Sequence, residues 1–328
     1  TGIRGRCQSA ADSLFMWQDT ERMKYSMVRL DLPEKFDLAA KKNLIQMGEE
    51  RFERQLGDLT RTMLSKKDLK VVSLCGPSCA GKTTTAKKII AECEKAGRRV
   101  VTLSIDDFYK DHWVLVAECE AKGVKTDYES VDAIDVDYLG LCFDRIFKDL
   151  AARLPIFDFT VGERVGYRPY RMREQDLLLL EGIQAMYPAV RALIEKHSPF
   201  YVFIDAIDIL STPYGDFDGR ELRLCRRLVR DFSRRNSSAE NTFDLWKQVV
   251  ENEEKSIYPY KGLADFTISS TMVYEPMMLK EPLKNVLGIL KATDRYAEKA
   301  GEILRRFEHF PQMDDTLLPD HSVYHEFI

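Results

Sequence analysis

The sequence lacks the features that a membrane protein, a zinc protein or a disulfide-stapled protein would need. Among its 328 residues no apolar run approaches the roughly 20 residues that span a membrane. The seven cysteines include no C-x-x-C pair, and the five histidines are scattered. The first residues show no basic-then-apolar signal pattern. These absences favour a cytoplasmic protein with reduced thiols, in which single cysteines such as Cys142 are small core residues.

An excess of positive charge is also missing. Lys and Arg total 49 against 53 Asp and Glu, which gives a net charge of −4. Domains that bind nucleic acid are usually strongly basic, so we expect neither a nucleic-acid partner nor a membrane partner. A content of 45% hydrophobic and 31% charged residues is typical of a globular protein. The sequence leaves open whether the chain forms a homo-oligomer.

Short apolar runs alternate with helix-like patterns along the chain. Runs that alternate with helices in this way predict an α/β fold, with a parallel five-stranded sheet covered by helices on both faces. The predicted strands are 70–75, 100–105, 177–180, 200–204 and 265–269. The predicted helices are 82–96, 137–150, 220–235, 241–255 and a largely helical stretch over 275–307.

A longer helix is expected ahead of the first strand. Its apolar residues step by seven, four, three and four along one face, which holds Ile45, Phe52, Leu56, Leu59 and Met63. Charged residues fill the opposite face. We therefore expect a docking helix over 37–66, whereas residues 1–36 show no sustained period and are predicted to be irregular.

The strongest chemical signal is the Walker A pattern G-x-x-x-x-G-K-[ST], which lies between a predicted strand and a predicted helix. Backbone N–H groups of such a turn, together with the helix N-terminus, form an anion site. Lys82 supplies a charge for the β- and γ-phosphates, and the Thr83 hydroxyl can ligate Mg²⁺. The predicted nucleotide-binding residues are Gly76, Pro77, Ser78, Cys79, Ala80, Gly81, Lys82, Thr83 and Thr84.

Two aspartates follow the second predicted strand. Ligands of open α/β sheets lie beyond the carboxyl ends of the strands, where Asp106 and Asp107 stand. An ionised carboxylate there can accept the proton of a substrate hydroxyl, and we assign this role to Asp106. For Asp107 a solvated capping role is equally well supported. The sequence has no N-K-x-D element to read guanine, and strand 177–180 ends in the single acid Glu181, so a GTPase and a motor or transport ATPase are disfavoured.

A basic helix is predicted over 220–235. Its arginines recur at helical spacing and are Arg223, Arg226, Arg227, Arg230, Arg234 and Arg235. Such a helix is usually a solvated face, or a patch for membrane or RNA. Beside a phosphate-binding loop it can instead be a lid that neutralises developing charge, and we favour a lid over about 215–240.

These motifs, taken in order, resemble uridine kinases and their phosphoribulokinase relatives, which have the P-loop NTPase fold. The resemblance is closest to the kinase portion of uridine kinase-like proteins that carry a TGS-type region, and it covers about residues 40–328. It implies one enlarged kinase domain over 67–275, followed by a helical C-terminal extension over 276–328. The motifs that carry it are S-I-D-D-F-Y (104–109), D-Y-E-S-V-D-A-I-D (127–135), P-I-F-D-F (155–159), L-L-L-L-E-G-I (177–183), R-L-C-R-R-L-V-R-D (223–231) and L-P-D-H-S-V-Y-H-E-F-I (318–328).

The resemblance implies roles for the residues that serve the phosphate donor. Asp106 stands where the family has its catalytic base, and Lys82 where the P-loop lysine acts on the phosphates. Glu181 matches the acid that helps to hold Mg²⁺. Arg230 and Arg235 match the lid arginines that surround the phosphates of ATP. The expected cofactors are therefore ATP and Mg²⁺.

The resemblance also implies an acceptor pocket. Glu129 falls where uridine kinases have an Asp that holds the ribose hydroxyls. Tyr109, Phe157 and Phe159 fall on the pocket itself, and Arg227 on a substrate-facing position. The implied reaction is transfer of a phosphoryl group to a small-molecule hydroxyl, most simply the 5′-OH of a nucleoside.

The pocket departs from uridine–cytidine kinases at four positions that help to read the base. Phe157, Gly162, Ser237 and Leu245 stand where that family has Tyr, His, Arg and Gln. Loss of such hydrogen-bonding groups removes discrimination between bases. Two alternatives therefore stay open: a kinase for another alcohol, of the pantothenate or ribulose phosphate type, and a catalytically silent nucleotide-binding module.

Overall fold

A five-stranded parallel sheet forms the centre of the computed structural model, which describes residues 26–328. Cys7 and most of the predicted irregular segment lie outside the described residues. The strands are β1 (Met27–Arg29), β2 (Val71–Cys75), β3 (Val100–Ser104), β4 (Ala151–Asp158), β5 (Glu163–Arg171), β6 (Leu177–Glu181), β7 (Pro199–Asp205), β8 (Ile209–Thr212), β9 (Gly215–Phe217) and β10 (Phe266–Ser269).

Helices cover both faces of this sheet. They are α1 (Leu38–Leu64), α2 (Lys82–Lys95), α3 (His112–Lys122), α4 (Val136–Asp149), α5 (Pro188–Ile194), α6 (Gly219–Arg235), α7 (Ala239–Asn252), α8 (Tyr258–Lys261), α9 (Glu275–Leu287) and α10 (Ala297–Glu308). No described helix combines the length and the apolar character that a membrane span requires.

The strand order of the sheet is β10-β7-β2-β6-β3, and every neighbouring pair is parallel. The run Leu177–Leu180 lies inside the sheet, between β2 and β3, and is fully buried, which is why it has no polar face. The register pairs both Leu74 of β2 and Ser104 of β3 with Glu181 of β6. The α/β prediction with five parallel strands is therefore confirmed, and the carboxyl ends of three strands meet at one edge.

Helix α1 packs by its predicted apolar face. The Asp37 side chain caps its start by accepting a hydrogen bond from the Ala40 backbone N–H. Ile45, Phe52, Leu56, Leu59 and Met63 are all buried, against α2 and β10. Each such side chain contributes about 1.5–3 kcal/mol when it leaves water, so this face fixes α1 to the sheet layer.

Several elements were not predicted from the sequence. The hairpin of β4 and β5 has Pro155 and Pro169 within its strands, and proline weighs against a strand in a sequence pattern. Helix α3 buries only Leu115 and Cys119, so its apolar period is weak. Within the segment predicted to be irregular, β1 pairs in parallel with β8.

The six described cysteines are free and buried, among them Cys142 on the apolar face of α4.

Candidate active site

The turn after β2 is shaped by its glycines. A Cβ on Gly76 would lie 2.1 Å from the carbonyl oxygen of Ile204 on the neighbouring strand, so only glycine fits. Gly81 has φ +93° and Cys79 has φ +59°, so both adopt the left-handed conformation. Gly81 precedes the first residue of α2 and offers no side-chain cap. The first N–H groups of α2 are thereby left to an outside acceptor, as in an anion site.

Lys82 and Thr83 stand at the start of α2, at the mouth of this turn. The Lys82 ammonium donates hydrogen bonds to the carbonyl oxygens of Gly76 and Pro77, at 2.9 and 3.0 Å. Thr83 is exposed, so its hydroxyl is open to a ligand. A lysine folded over a cradle of N–H groups, with a hydroxyl beside it, suits a nucleotide phosphate and a hard cation.

Two acids lie at the carboxyl edge of the sheet. Glu181 ends β6, and the Ser104 hydroxyl at the end of β3 donates to its Oε1 at 3.1 Å. Desolvation raises the pKa of Asp106, and the Lys82 charge opposes that rise. Burial also raises the pKa of Glu181, and the neighbouring Asp106 charge adds to it. Asp106, Glu181 and Lys82 therefore form one electrostatic unit next to the loop.

The second aspartate of the pair has a structural partner. Asp107 forms an ion pair with Arg168 of β5, which ties the 3₁₀ turn Ile105–Phe108 to the hairpin. Asp106 instead interacts electrostatically with Lys82.

Three aromatic rings gather beside these acids. The Tyr109 ring centroid lies 5.7 Å from that of Phe157 and 5.5 Å from that of Phe159. Tyr109 is buried, whereas Phe159 is 63% exposed at the tip of the hairpin. The structure thus brings together the three aromatic residues predicted for an acceptor pocket, with one wall open to solvent.

Glu129 lies in the loop between α3 and α4, facing the arginine helix. Its Oε1 is 3.9 Å from Nη1 of Arg227. Burial raises the pKa of Glu129 to about 7, although the Arg227 charge opposes the rise. Among the described residues its Oε2 is buried with no hydrogen-bond partner. This carboxyl is therefore an unsatisfied acceptor that titrates near neutral pH.

Gly162, a departure from the uridine–cytidine kinase pattern, has a local structural reason. It adopts φ +71°, and a Cβ there would lie 3.1 Å from the Cβ of His112. Its carbonyl also accepts a hydrogen bond from the His112 backbone N–H at 2.7 Å. The turn of the hairpin is therefore built for glycine, and a histidine at this position would be strained.

Two arginines of the predicted lid helix α6 do not reach solvent. Arg223 and Arg226 are fully buried. Arg223 pairs with Asp205 at 2.8 Å and with Glu253, and Arg226 pairs with Glu275. Buried carboxylates compensate the desolvation of both guanidinium groups.

These two arginines also hold the phosphate-binding turn. Arg223 donates to the carbonyl oxygen of Ser78 at 3.2 Å, and Arg226 donates to that of Cys79 at 3.1 Å. Helix α6 is thereby fastened to the loop by two buried guanidinium groups.

Three of the other predicted arginines converge on the buried carboxylate of Asp231. Arg227 donates to it at 3.2 Å and to the Ser78 hydroxyl at 3.1 Å. Arg230 donates to it at 2.7 Å, and Arg235 lies 3.6 Å from it with 60% of its side chain exposed. The charge of Arg235 also reaches Asp106. Arg227, Arg230 and Arg235 thus present positive charge along the same side of the loop.

One residue in contact with the loop was not predicted from the sequence. The backbone N–H of Thr84 donates to Oε2 of Glu326 at 3.0 Å. Glu326 lies in the C-terminal 3₁₀ turn Val323–Glu326, far from the loop in sequence. The motif at 318–328 marked the segment, but nothing in its spacing pointed to the loop.

The chain is also similar to known proteins. The model of the phosphoribulokinase / uridine kinase family matches residues 71–274. The uridine kinase of Streptococcus mutans is 26% identical over 200 residues, which are 60% of this chain and 85% of that protein. The uridine kinase of Streptococcus equi subsp. zooepidemicus is 25% identical over 235 residues, 71% of this chain and 97% of that protein. The solved phosphoribulokinase of Rhodobacter spheroides aligns over 62% of this chain and 70% of its own, at 18% identity and a TM-score of 0.43.

Proposed function

Because the chain belongs to the phosphoribulokinase / uridine kinase family and is a P-loop kinase, we propose that it transfers the γ-phosphoryl group of ATP to the 5′-OH of a nucleoside. The uridine kinases among its relatives support a nucleoside acceptor. The observation that carries the proposal is the electrostatic unit of Asp106, Lys82 and Glu181 at the mouth of the P-loop.

The loop would bind the phosphates of the donor. The N–H groups at the start of α2 and the Lys82 ammonium provide the positive potential that a triphosphate needs. To act on a phosphate, Lys82 exchanges its bonds with the carbonyl oxygens of Gly76 and Pro77 for phosphate oxygens. The loop backbone itself is held in place by Arg223 and Arg226, so the cradle exists before the nucleotide arrives.

Thr83 and Glu181 are the oxygen ligands in this site that fit Mg²⁺, since a hydroxyl and a carboxylate are hard donors. When bound, the ion would neutralise charge on the phosphates.

Asp106 would act as the general base. Its carboxylate accepts the proton of the acceptor hydroxyl as the oxygen attacks the γ-phosphorus. Burial raises the pKa of Asp106, which brings the base closer to the operating pH, and the Lys82 and Arg235 charges oppose that rise. Asp107 cannot easily substitute for it because its carboxylate is paired with Arg168.

Arg227, Arg230 and Arg235 would stabilise the charge that develops during transfer. Asp231 holds their guanidinium groups in position, so little reorganisation is needed when the phosphoryl group moves. Arg235 is the most exposed of the three and can adjust to the nucleotide.

The acceptor would lie between the aromatic cluster and Glu129. A sugar ring packs on Tyr109, Phe157 and Phe159, and a ring hydroxyl donates to the unsatisfied Oε2 of Glu129. In this arrangement the contacts recognise a sugar ring and its hydroxyl groups more directly than a nucleobase. It supports a nucleoside or a related sugar alcohol.

A screen of acceptors tests the proposal. Consumption of ATP is measured with nucleosides, sugars and vitamin alcohols, with Asp106→Asn as the control for site-specific transfer. Nucleoside-dependent consumption that disappears in the variant supports the proposal. Consumption that depends on a non-nucleoside alcohol would replace the acceptor but keep the kinase chemistry. If no acceptor in the panel leads to consumption of ATP, the silent nucleotide-binding module is favoured.

A further inference from the structure

The C-terminal segment of the chain lies directly over the phosphate-binding turn. Val323, Tyr324 and Phe327 are fully buried, so the segment is part of the folded core. A Cβ added to Gly81 would meet the Val323 side chain at 2.9 Å and the Phe327 ring at 3.6 Å. The segment therefore packs on the residue that opens helix α2.

The arginine helix holds the same segment from its other side. The Arg226 guanidinium lies 4.4 Å from the centroid of the Phe327 ring, and Arg234 donates to the carbonyl oxygen of His325 at 2.6 Å. The Tyr324 ring meets that of Tyr274 edge-on at 5.5 Å. With contacts on both sides, the backbone near Glu326 is fixed in place.

This placement directs the Glu326 carboxylate at the start of α2. Its Oε2 accepts the backbone N–H of Thr84, the third residue of the helix, at 3.0 Å. Since Gly81 offers no side-chain cap, Glu326 provides the anion that this helix end lacks. The N–H groups of this helix end are the ones that cradle phosphates in a P-loop.

The charge of Glu326 also acts on the catalytic groups. Burial is the main cause of the raised pKa of Glu181, and the Glu326 charge contributes to it. Burial lowers the pKa of Arg230, but nearby charges, that of Glu326 among them, raise it above its ordinary value. Arg230 is one of the arginines proposed to act on the phosphates. The Glu326 carboxylate thus lies within the electrostatic field of the nucleotide site and not on a remote surface.

We propose that Glu326 is an internal occupant of the phosphate-binding site, and that a nucleotide must displace its carboxylate from the Thr84 N–H in order to bind. The inference rests on the proposed function of the loop. One N–H cannot serve two anions at full strength, and a carboxylate beside a phosphate adds repulsion. Glu326 therefore sets the affinity for nucleotide. The exchange needs only rotation of its half-buried side chain, while Val323 and Phe327 stay packed.

Removal of the carboxylate should strengthen nucleotide binding, an effect opposite to that of damaging a structural contact. We expect Glu326→Ala to bind ADP and ATP with Mg²⁺ about tenfold more tightly than wild type, the scale of one charge-assisted hydrogen bond. The nucleotide affinity of Glu326→Gln should lie between those of wild type and Glu326→Ala, because the Gln amide oxygen still accepts the Thr84 N–H but carries no charge. Calorimetric titration gives the three dissociation constants.

Asp320→Asn is the matched control, because Asp320 is an exposed acid of the same segment. It removes the same charge from the chain and should leave nucleotide affinity unchanged. If Glu326→Ala fails to fold, the near-isosteric Glu326→Gln carries the test.

If wild type binds nucleotide and the Glu326 variants bind it equally well or more weakly, the inference about Glu326 is wrong, while the proposed function stands. Equal tightening in Asp320→Asn would also overturn it, since the effect would then come from net charge. If neither wild type nor any variant binds ADP or ATP, the inference and the proposed function both fail.

Discussion

The hydroxyl of Ser104 donates a hydrogen bond to the carboxylate of Glu181 across two neighbouring parallel strands, at 3.1 Å. The contact exists because the register pairs these two residues at the ends of β3 and β6. It directs Glu181 toward the edge where Asp106 emerges from β3. The acid proposed to hold a cation and the acid proposed to accept a proton thereby lie beside one phosphate-binding loop.

Replacing Asp106 with Asn should separate binding from chemistry. The amide has nearly the same shape but cannot accept the proton of an acceptor hydroxyl. We expect kcat to fall by a factor of ~10² or more, the usual scale of a general base, while ATP binding is retained. Steady-state rates and equilibrium titration with ATP measure the two quantities. A variant with normal turnover would show that another group is the base.

Glu129 should make the stability of the protein depend on pH. Burial raises its pKa from 4.5 to about 7 in the folded protein, with Arg227 opposing. The folded state therefore binds this proton more tightly than the unfolded state. The resulting contribution to the free energy of unfolding is complete below pH 4.5 and is lost as the pH rises through 7.

Glu129→Gln has no such titration, because the amide stays neutral. The stability of wild type minus that of the variant should fall by about 3 kcal/mol between pH 4.5 and pH 8. Urea unfolding of both proteins across this range measures the difference. A difference that stays constant with pH would mean that Glu129 titrates at its ordinary value.

Glu275→Gln should show that Arg226 fastens the loop and not only the helix. The substitution leaves a buried guanidinium without its charged partner, which costs about 3–5 kcal/mol. Because Arg226 also donates to the carbonyl oxygen of Cys79, nucleotide affinity should fall together with stability. Denaturant unfolding and ATP titration test both effects.

The exposed pair of Arg295 and Asp244 is the comparison. Arg295→Gln should leave both stability and nucleotide affinity nearly unchanged, because solvent screens that pair. Equal effects of the two substitutions would contradict the role given to Arg226.

Gly76→Ala should disrupt the phosphate-binding turn, because the new methyl group would lie 2.1 Å from the Ile204 carbonyl oxygen. We expect nucleotide binding to be lost and the protein to be destabilised. Gly57→Ala in α1 is the matched control, since no atom lies within 4 Å of a Cβ there. It should raise stability by up to about 1 kcal/mol, the helix-propensity difference. Thermal unfolding and ATP titration distinguish the two.

The centre of the fold could be predicted because its residues are uniformly buried, which gives the sequence a clear apolar pattern. The run Leu177–Leu180 is buried on both faces of the sheet, and Ile45 to Met63 repeat along one buried face of α1. The hairpin of β4 and β5 could not be predicted in the same way. Its strands contain Pro155 and Pro169 and turn much of β5 to solvent, so they show no uniform apolar pattern.

Some residues of the site could likewise be predicted from the sequence and others could not. The loop and Asp106 follow buried strands directly, so their place at the sheet edge follows from the order of the chain. The burial of Arg223 depends on Asp205 and Glu253, which are distant in sequence, and an arginine period alone indicates an exposed face. The contact of Glu326 with Thr84 spans 242 positions and depends on how the C-terminal segment folds back.

We propose that Asp106 acts as the base in transfer of the γ-phosphoryl group of ATP to a nucleoside hydroxyl. The most direct test of this role uses γ-labelled ATP with uridine and cytidine, and follows the label into product for wild type and for Asp106→Asn. We expect a labelled nucleoside 5′-monophosphate from wild type and at least ~10²-fold less from the variant. Label that stays on ATP or appears only as free phosphate, in a wild-type protein that binds ATP, would contradict it.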